Sequence, residues 1–360
     1  MDKNSYTNLY QQLTSISYKK QDHWDIFNAK YYEKIKDIDN LIDFRNNGLS
    51  NMLETGLPSQ EQFVLLNENK CYNTNYSPDE IEEIINRYDE LNVLTNNELK
   101  KYSFNNNIGN PKHYLHENIM LNFDDLYHIY AIWQMDRTLK YKNIEPKTVV
   151  EIGGGYGNFA NKYKTLKKNT KYIIIDLPEI LLLQNYYLNA MNPEYKIINL
   201  IDTSISVDIE NDSFDFLLIP YNIYENFNFP VDVVINKRSL GEMPKNVLDK
   251  YFKWIQSNLK EDGLFYVVNR YAFTKSNDKN KFRDYPFDKK WNILLSQPQW
   301  LQTHLHEFIL QRVKNENDSV EFLLKSFPLS TPPPGPILKD SILKQSEWLK
   351  YQNVNNSNTE

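Results

Sequence analysis

Glu151, Gly153, Gly155 and Gly157 alternate along Val149-Val150-Glu151-Ile152-Gly153-Gly154-Gly155-Tyr156-Gly157-Asn158, a run that holds four of the chain's ten glycines. An apolar stretch that ends in an acid, turns through glycines and resumes at Asn158-Phe159-Ala160 predicts a strand, a tight loop and a helix N-terminus. Such a loop cradles a nucleotide-like ligand, because glycine reaches φ > 0 and has no Cβ to hold the ligand off the main chain. The next apolar run, Lys171-Tyr172-Ile173-Ile174-Ile175, closes on Asp176, nineteen positions after Gly157. A carboxylate at about that distance accepts hydrogen bonds from ribose hydroxyls in nucleotide-binding α/β units. Asp176 also suits the start of a helix at Pro178, and the two roles are compatible. The dinucleotide pattern G-x-G-x-x-G fits Gly153 and Gly155 but then requires glycine where Asn158 stands, which disfavours a dinucleotide.

The elements that must position these residues follow from periodicity. Strands are predicted at 148–152, 171–175, 214–219, 231–236, 264–268, 306–313 and 319–325, alternating with amphipathic helices; Lys196 to Leu200 is an alternative third strand. Val247, Leu248, Tyr251, Phe252, Ile255 and Leu259 recur at helix spacing behind Pro244 and stop at Glu261-Asp262-Gly263, so the fourth and fifth strands are joined by a helical crossover. This alternation predicts an α/β fold with a seven-stranded, doubly wound, Rossmann-like sheet over residues 146–330. Residues 1–145 read as a helical region capping the acceptor side, with helices from Pro78 and near Asn122. Residues 331–360 read as a proline-rich extension and polar tail.

Acid-x-Gly-x-Gly-x-Gly is the first motif of S-adenosylmethionine (SAM) dependent methyltransferases. The chain resembles more particularly the bacterial sugar O-methyltransferases of glycan and glycosylated natural-product pathways. The likeness is carried by Glu151 to Gly157, by Ile175-Asp176-Leu177-Pro178-Glu179 and the helix behind it, and by Leu218-Ile219-Pro220. It continues in Ile235-Asn236-Lys237-Arg238-Ser239-Leu240-Gly241-Glu242-Met243 and Asn269-Arg270. It implies SAM as cofactor, held by Glu151, Gly153, Gly154, Gly155, Tyr156, Gly157, Asn158, Asp176 and Leu177, with Pro220, Tyr221 and Asn236 completing the site. Glu151 would hold the amino end of the cofactor, and Ile219 to Asn222 would wall the adenine. The implied acceptor is a sugar hydroxyl on a glycan or nucleotide-linked sugar, contacted by Arg238, Ser239, Asn269, Arg270 and Tyr271. The pair Lys237-Arg238 departs from the polar or small residues usual in the family and predicts a more cationic acceptor side.

A sugar hydroxyl is a weak acid, so methyl transfer to it calls for a base or a metal. Glu242, in the loop after the fourth strand, is the first candidate base, although it is as well placed to cap the helix behind Pro244 or to pair with Arg238. His304, two before His306 at the lead-in to a strand, and His116, three after His113 near a predicted helix start, compete for the role. No compact spacing of metal ligands is present, and no metal is assigned. Tyr156, Tyr221, Tyr271 and Trp291 are the aromatic residues expected to line the cleft.

A net charge of −6 with interspersed signs offers no basic stripe for nucleic acid. The densest basic group, Lys162, Lys164, Lys167, Lys168 and Lys171, reads as the solvated face of the helix after the glycine loop. A mean hydropathy of −0.65 and the lack of a long apolar run predict no membrane insertion. The single cysteine, Cys71, fits a reducing, cytoplasmic setting. A homo-oligomer is compatible with the chain. Two rival functions are a nucleotide-sugar oxidoreductase or epimerase, disfavoured by Asn158 and by the lack of a suitably placed Tyr-x-x-x-Lys pair, and a non-catalytic SAM-binding module, disfavoured by the intact Glu151, loop and Asp176.

Overall fold

The computed structural model describes residues 2–15, 34–46, 49, 76–102, 106–201, 206–272 and 280–330. Cys71 and the proline-rich extension and tail at 331–360 lie outside them. Before the sheet come helices α1 (Lys3–Thr14), α2 (Pro78–Leu94) and α3 (Phe123–Tyr141) and a hairpin of β1 (Tyr114–His116) and β2 (Ile119–Leu121). Then follow β3 (Thr148–Ile152), α4 (Asn158–Leu166), β4 (Lys171–Asp176), α5 (Pro178–Met191), β5 (Ile197–Asn199), β6 (Phe216–Pro220) and β7 (Val231–Lys237). The last elements are α6 (Lys245–Asn258), β8 (Leu259–Arg270), β9 (Trp291–Pro298), β10 (Leu305–Arg312) and α7 (Ser319–Ser326).

Among the described residues the central sheet has eight strands, not seven, in the order β5-β6-β4-β3-β7-β8-β10-β9. β10 alone runs against its neighbours, and the pairings from β5 to β8 are parallel. The chain steps outward from β3 through β4 to the edge strand β5, returns to β6 between β5 and β4, and then crosses to place β7 on the other side of β3, so a topological switch point lies between β3 and β7. Ligands of open α/β sheets bind outside the carboxyl ends of strands at such a point, and the glycine loop is there.

Strand alternation splits the core between the two faces. Val149, Ile174, Leu218 and Ile235 pack with Leu126, Phe159 and Leu182 from the helices before and after β3. Val150, Ile173, Leu217 and Val234 pack with Leu248 and Phe252 of α6 and Val320 and Leu324 of α7. Glu151 falls on the first face, under α3 and α4.

Several expectations are corrected. The segment 319–325 is helix α7, not a strand: Val320 and Leu324, four apart, are its buried residues, the helical rather than the alternating period. β9 was not read as a strand, because its burial alternates poorly; β10 recruits it into the sheet. Lys196 to Leu200 does not replace the third strand but adds β5 beside it, Ile197 to Asn199 pairing with Phe216 to Leu218. The helix α6 runs into β8 without a loop at Glu261-Asp262-Gly263, where Asp262 takes a φ of 65° beside a register shift.

The region before 145 is not wholly helical, since β1 and β2 are joined through Glu117 and Asn118 with φ of 47° and 65°. Both central residues of this tight hairpin turn lack the Asn-Gly or Asp-Gly signal that marks such turns in sequence. His116 is therefore a strand residue, not one near a helix start.

The lysine cluster is not a solvated face. Lys162 is fully buried 3.0 Å from Asp125, and Lys164 donates to the Thr170 carbonyl and pairs with Asp215 at 2.9 Å. Lys167 pairs with Asp136 at 3.3 Å, and Lys171 donates to the carbonyls of Ile209 and Glu210. Only Lys168 is exposed. Among the described residues no helix is long and apolar enough to cross a membrane.

Candidate active site

Parallel pairing brings the tips of β3 and β4 together, Ile152 opposite Ile175, and the glycine loop bridges them. Gly153 turns at φ 72° and donates its N–H to the Ile175 carbonyl at 2.9 Å. A Cβ at Gly153 would fall 2.1 Å from Ser239 Oγ, so both the left-handed backbone and the close approach of the loop after β7 require glycine there. Gly154 donates to Asp176 Oδ2 at 2.9 Å, and Gly157, at φ 99°, is the N-cap of α4.

Asp176 is held by three donors. Oδ1 accepts from the Leu177 N–H at 2.8 Å, and Oδ2 accepts from Gly154 and from Gln184 Nε2 at 2.8 Å. Burial nevertheless pushes its carboxyl up to about 7, against the pull of these donors. Pro220 lies opposite it in register, and the Tyr221 N–H donates to the Asp176 carbonyl at 2.9 Å. Tyr221 is half-buried beside Asp176.

Beneath the loop, the cleft is lined by Glu151, Gly153, Gly154, Gly155, Tyr156 and Asn158, joined by Asp124, Tyr127, His128 and Lys237. Glu151 is buried, accepts from the Tyr172 hydroxyl at 2.9 Å, and is raised above the usual carboxylate range by burial, with Lys237 pulling the other way. Lys237, the last residue of β7, rests 4.0 Å over the Phe159 ring, and its Nζ is 2.6 Å from His128 Nδ1. Burial pushes the amine down to about 7 and the His128 imidazole down to about 4. His128 Nε2 lies 3.2 Å from Asp124 Oδ1. At neutral pH the imidazole is therefore uncharged between an amine and a carboxylate.

Asp124 and Asp125 open α3 behind the N-cap Asn122 and face the start of α4. Asp124 Oδ2 accepts from the Tyr156 hydroxyl at 2.8 Å and from Asn158 Nδ2 at 2.9 Å. Asp125 Oδ1 accepts from Asn158 at 2.9 Å and pairs with Lys162. The Arg45 guanidinium lies over the Tyr156 ring at 5.2 Å. Asn158, the residue that breaks the dinucleotide pattern, thus ties two buried carboxylates to the helix N-terminus.

Other residues expected at the site hold the frame. Asn236 donates to the Ile152 carbonyl at 2.8 Å and to Ser239 Oγ, and its Oδ1 accepts from Asn269 Nδ2 at 2.9 Å and the Leu240 N–H at 3.3 Å. Its amide has both hydrogens and both lone pairs engaged, so it joins strand tips and has nothing left for a cofactor. Ser239 donates to the Ile152 carbonyl at 3.0 Å, and Asn269 Oδ1 accepts from the Gly241 N–H at 3.2 Å. Tyr271 is turned away: its hydroxyl meets His306 Nδ1 at 2.9 Å and its ring packs on Phe327. Trp291 is fully buried against Phe265 and Phe287, where the pairing of β9 with β10 puts it, and does not line the cleft.

Arg238, Glu242, Arg270 and His304 are gathered past the carboxyl ends of β7 and β8; Arg238 feels the charges of Arg270 and Glu242, and His304 those of Arg270 and Arg238. Glu242 closes the short turn before α6. His116 packs against Tyr88 and Tyr114 on the hairpin, and His306 is spent between Tyr271 and Ser296.

Sequence reasoning did not assign Asp124, His128 or Gln184 to the site, and it put Lys237 beside Arg238 on the acceptor side, whereas Lys237 lines the cleft with Glu151. Asp124 and His128, one helical turn apart behind an N-cap, and Gln184, a lone amide within Leu181-Leu182-Leu183, were the available signals.

No family model matches the sequence, and no curated protein matches it. Among solved structures, the chain is similar to the mitomycin 7-O-methyltransferase MmcR, with a TM-score of 0.34 and 12% identity over 52% of this chain and 57% of that one. It is similar to StiE O-MT residues 942–1257, with a TM-score of 0.37 and 11% identity over 55% and 80%. It is also similar to an rRNA methylase from Streptococcus thermophilus, with a TM-score of 0.32 and 16% identity over 47% and 89%. The chain covers just over half of MmcR's length. The doubly wound, Rossmann-like arrangement itself follows from the strand order.

Proposed function

We propose that the protein is a SAM-dependent O-methyltransferase that acts on a sugar hydroxyl. The observation that carries the choice of cofactor is the pair of carboxylates, Asp124 and Asp125, at the N-terminus of α4. In dinucleotide-binding sheets that helix end receives the pyrophosphate. Here Asn158 ties two buried acids to it; Asp125 is matched by Lys162, and the charge of Asp124 would disfavour a pyrophosphate and suit a ligand that carries a sulfonium and an ammonium beside a single carboxylate.

The remaining residues fit that ligand. Asp176 Oδ1, which accepts from only one protein donor, would accept from a ribose hydroxyl, Pro220 and Tyr221 would wall the base, and Glu151 and Lys237 would face the amino-acid end. SAM supplies a methyl group already activated by the sulfonium. The protein must then hold an acceptor oxygen in line and remove its proton. Glu242, at the carboxyl edge beside the loop and within electrostatic reach of Arg238, is the proposed base.

Calorimetry with SAM, its demethylated product and NAD tests the class. Binding of the first two and not the third is expected, and binding of NAD with no response to SAM would overturn the reading.

A further inference from the structure

Arg238 leaves β7 at a φ of 75° and donates its backbone N–H to the Val268 carbonyl at 2.7 Å. A non-glycine residue held in the left-handed region is uncommon and strained, and such strain collects at functional sites. The turn lays the guanidinium on the ring of Tyr127, 5.0 Å from its centroid. Arg238 Nε and Nη2, the hydroxyls of Tyr127 and Tyr285, and His304 Nδ1 are all sealed from solvent without a hydrogen bond of ordinary geometry. Buried polar groups are rarely left unmatched; here Tyr127 and Arg238 meet each other, while the Tyr285 hydroxyl and His304 Nδ1 have no hydrogen-bond partner among the described residues.

The sheet register explains their company. Arg270 ends β8 opposite Leu305, next to His304, and Arg238 is bonded to β8 two residues before Arg270. Tyr285 reaches the same loop, since a Cβ on Gly241 would fall 3.3 Å from its hydroxyl. Burial pushes His304 down to about 4, and the charges of Arg270 and Arg238 push the same way, so the imidazole is neutral at physiological pH. Apart from it, the unmatched atoms here are hydrogen-bond donors.

We propose that this donor-rich cluster, which Glu242 flanks with its charge, binds an oxyanion carried by the acceptor, so that the methylated sugar bears a phosphate or a carboxylate and is not a neutral sugar. The inference rests on the methyltransferase reading for the word acceptor, but the anion site stands on its own geometry. A neutral sugar brings a donor with every hydroxyl and no charge to set between two arginines. An oxyanion brings acceptors only, in the planar spacing that a guanidinium fork matches.

The test is calorimetric titration of the full chain, with and without S-adenosylhomocysteine, using glucose 1-phosphate, glucuronate and glucose. One or both anions should bind at least tenfold more tightly than glucose; the tighter of the two identifies the phosphate or the carboxylate as the source. Arg238→Gln should lose at least tenfold in that affinity, Arg238→Lys should lose less because it keeps the charge but not the planar fork, and SAM affinity in each variant reports an intact fold. Should Arg238→Gln not fold, Arg270→Gln serves in its place. Glucose binding as tightly as both anions, or the glutamine variant binding the anions as the wild type does, would overturn the proposal. Anion binding without any SAM binding would keep the oxyanion site and remove the methyltransferase reading.

Discussion

Replacing Asp176 by asparagine tests the cofactor site at its most constrained point. The side chain keeps its shape, but one oxygen becomes an NH2 group. Placed at Oδ2 it would face two donors, Gly154 N–H and Gln184 Nε2; placed at Oδ1 it would face one, Leu177 N–H. The second orientation costs less, and it removes the one carboxylate lone pair that no protein donor uses and that a ribose hydroxyl would take. A hydrogen bond to a charged group contributes about 1.5–3 kcal/mol, and every 1.4 kcal/mol is about tenfold in affinity. SAM should therefore bind the variant on the order of 10–100-fold more weakly.

The pH dependence adds a sharper signature. Burial holds the wild-type carboxyl up at about 7, and the ionised form is the better acceptor for a ribose hydroxyl. Wild-type affinity should rise with pH up to about 7 and then level, whereas the asparagine variant should be flat. Stability moves the other way. A carboxyl whose folded pKa is raised contributes stability that is present at low pH and lost as pH rises through the folded value, so the variant should gain on the wild type between pH 5 and pH 8. Titration calorimetry with SAM at pH 6 and pH 8, beside thermal unfolding at the same values, reads both. Equal SAM affinity in the two proteins with parallel pH profiles would refute the ribose assignment.

Lys162→Met leaves Asp125 without its buried ion-pair partner and should cost about 3–5 kcal/mol in denaturant unfolding. Adding Asp125→Asn should restore most of that, and an unchanged midpoint in the single variant would show that the pair does not hold α3 to α4. Glu242→Gln should lower turnover by about a hundredfold with SAM affinity nearly unchanged, because a base acts as the bond forms and not on cofactor capture. His116→Asn, packed on the hairpin away from the loop, should turn over normally. Loss of turnover in His304→Asn with Glu242→Gln active would move the base to the histidine.

The sequence by itself determined the parts whose signals are local. The glycine loop, the acid-tipped strands at Glu151 and Asp176, and the start of α5 at Pro178 are written in adjacent residues, and six of the predicted strands and the α6 crossover stand close to where periodicity put them. Tertiary structure decided what depended on a partner far along the chain. Val320 and Leu324 could turn either to a sheet or to a helix-packed face, and β9 exists only because β10 offers it an edge. The lysines of α4 looked solvated because charge normally is; Asp125, Asp136 and Asp215 meet them from elements distant in sequence and take them into the interior. The site divides in the same way. Asn236 looked like a ligand and became a brace once β3, β7 and β8 lay side by side, while Asp124, His128 and Lys237, more than a hundred residues apart at their extremes, became neighbours only when α3 settled on the sheet.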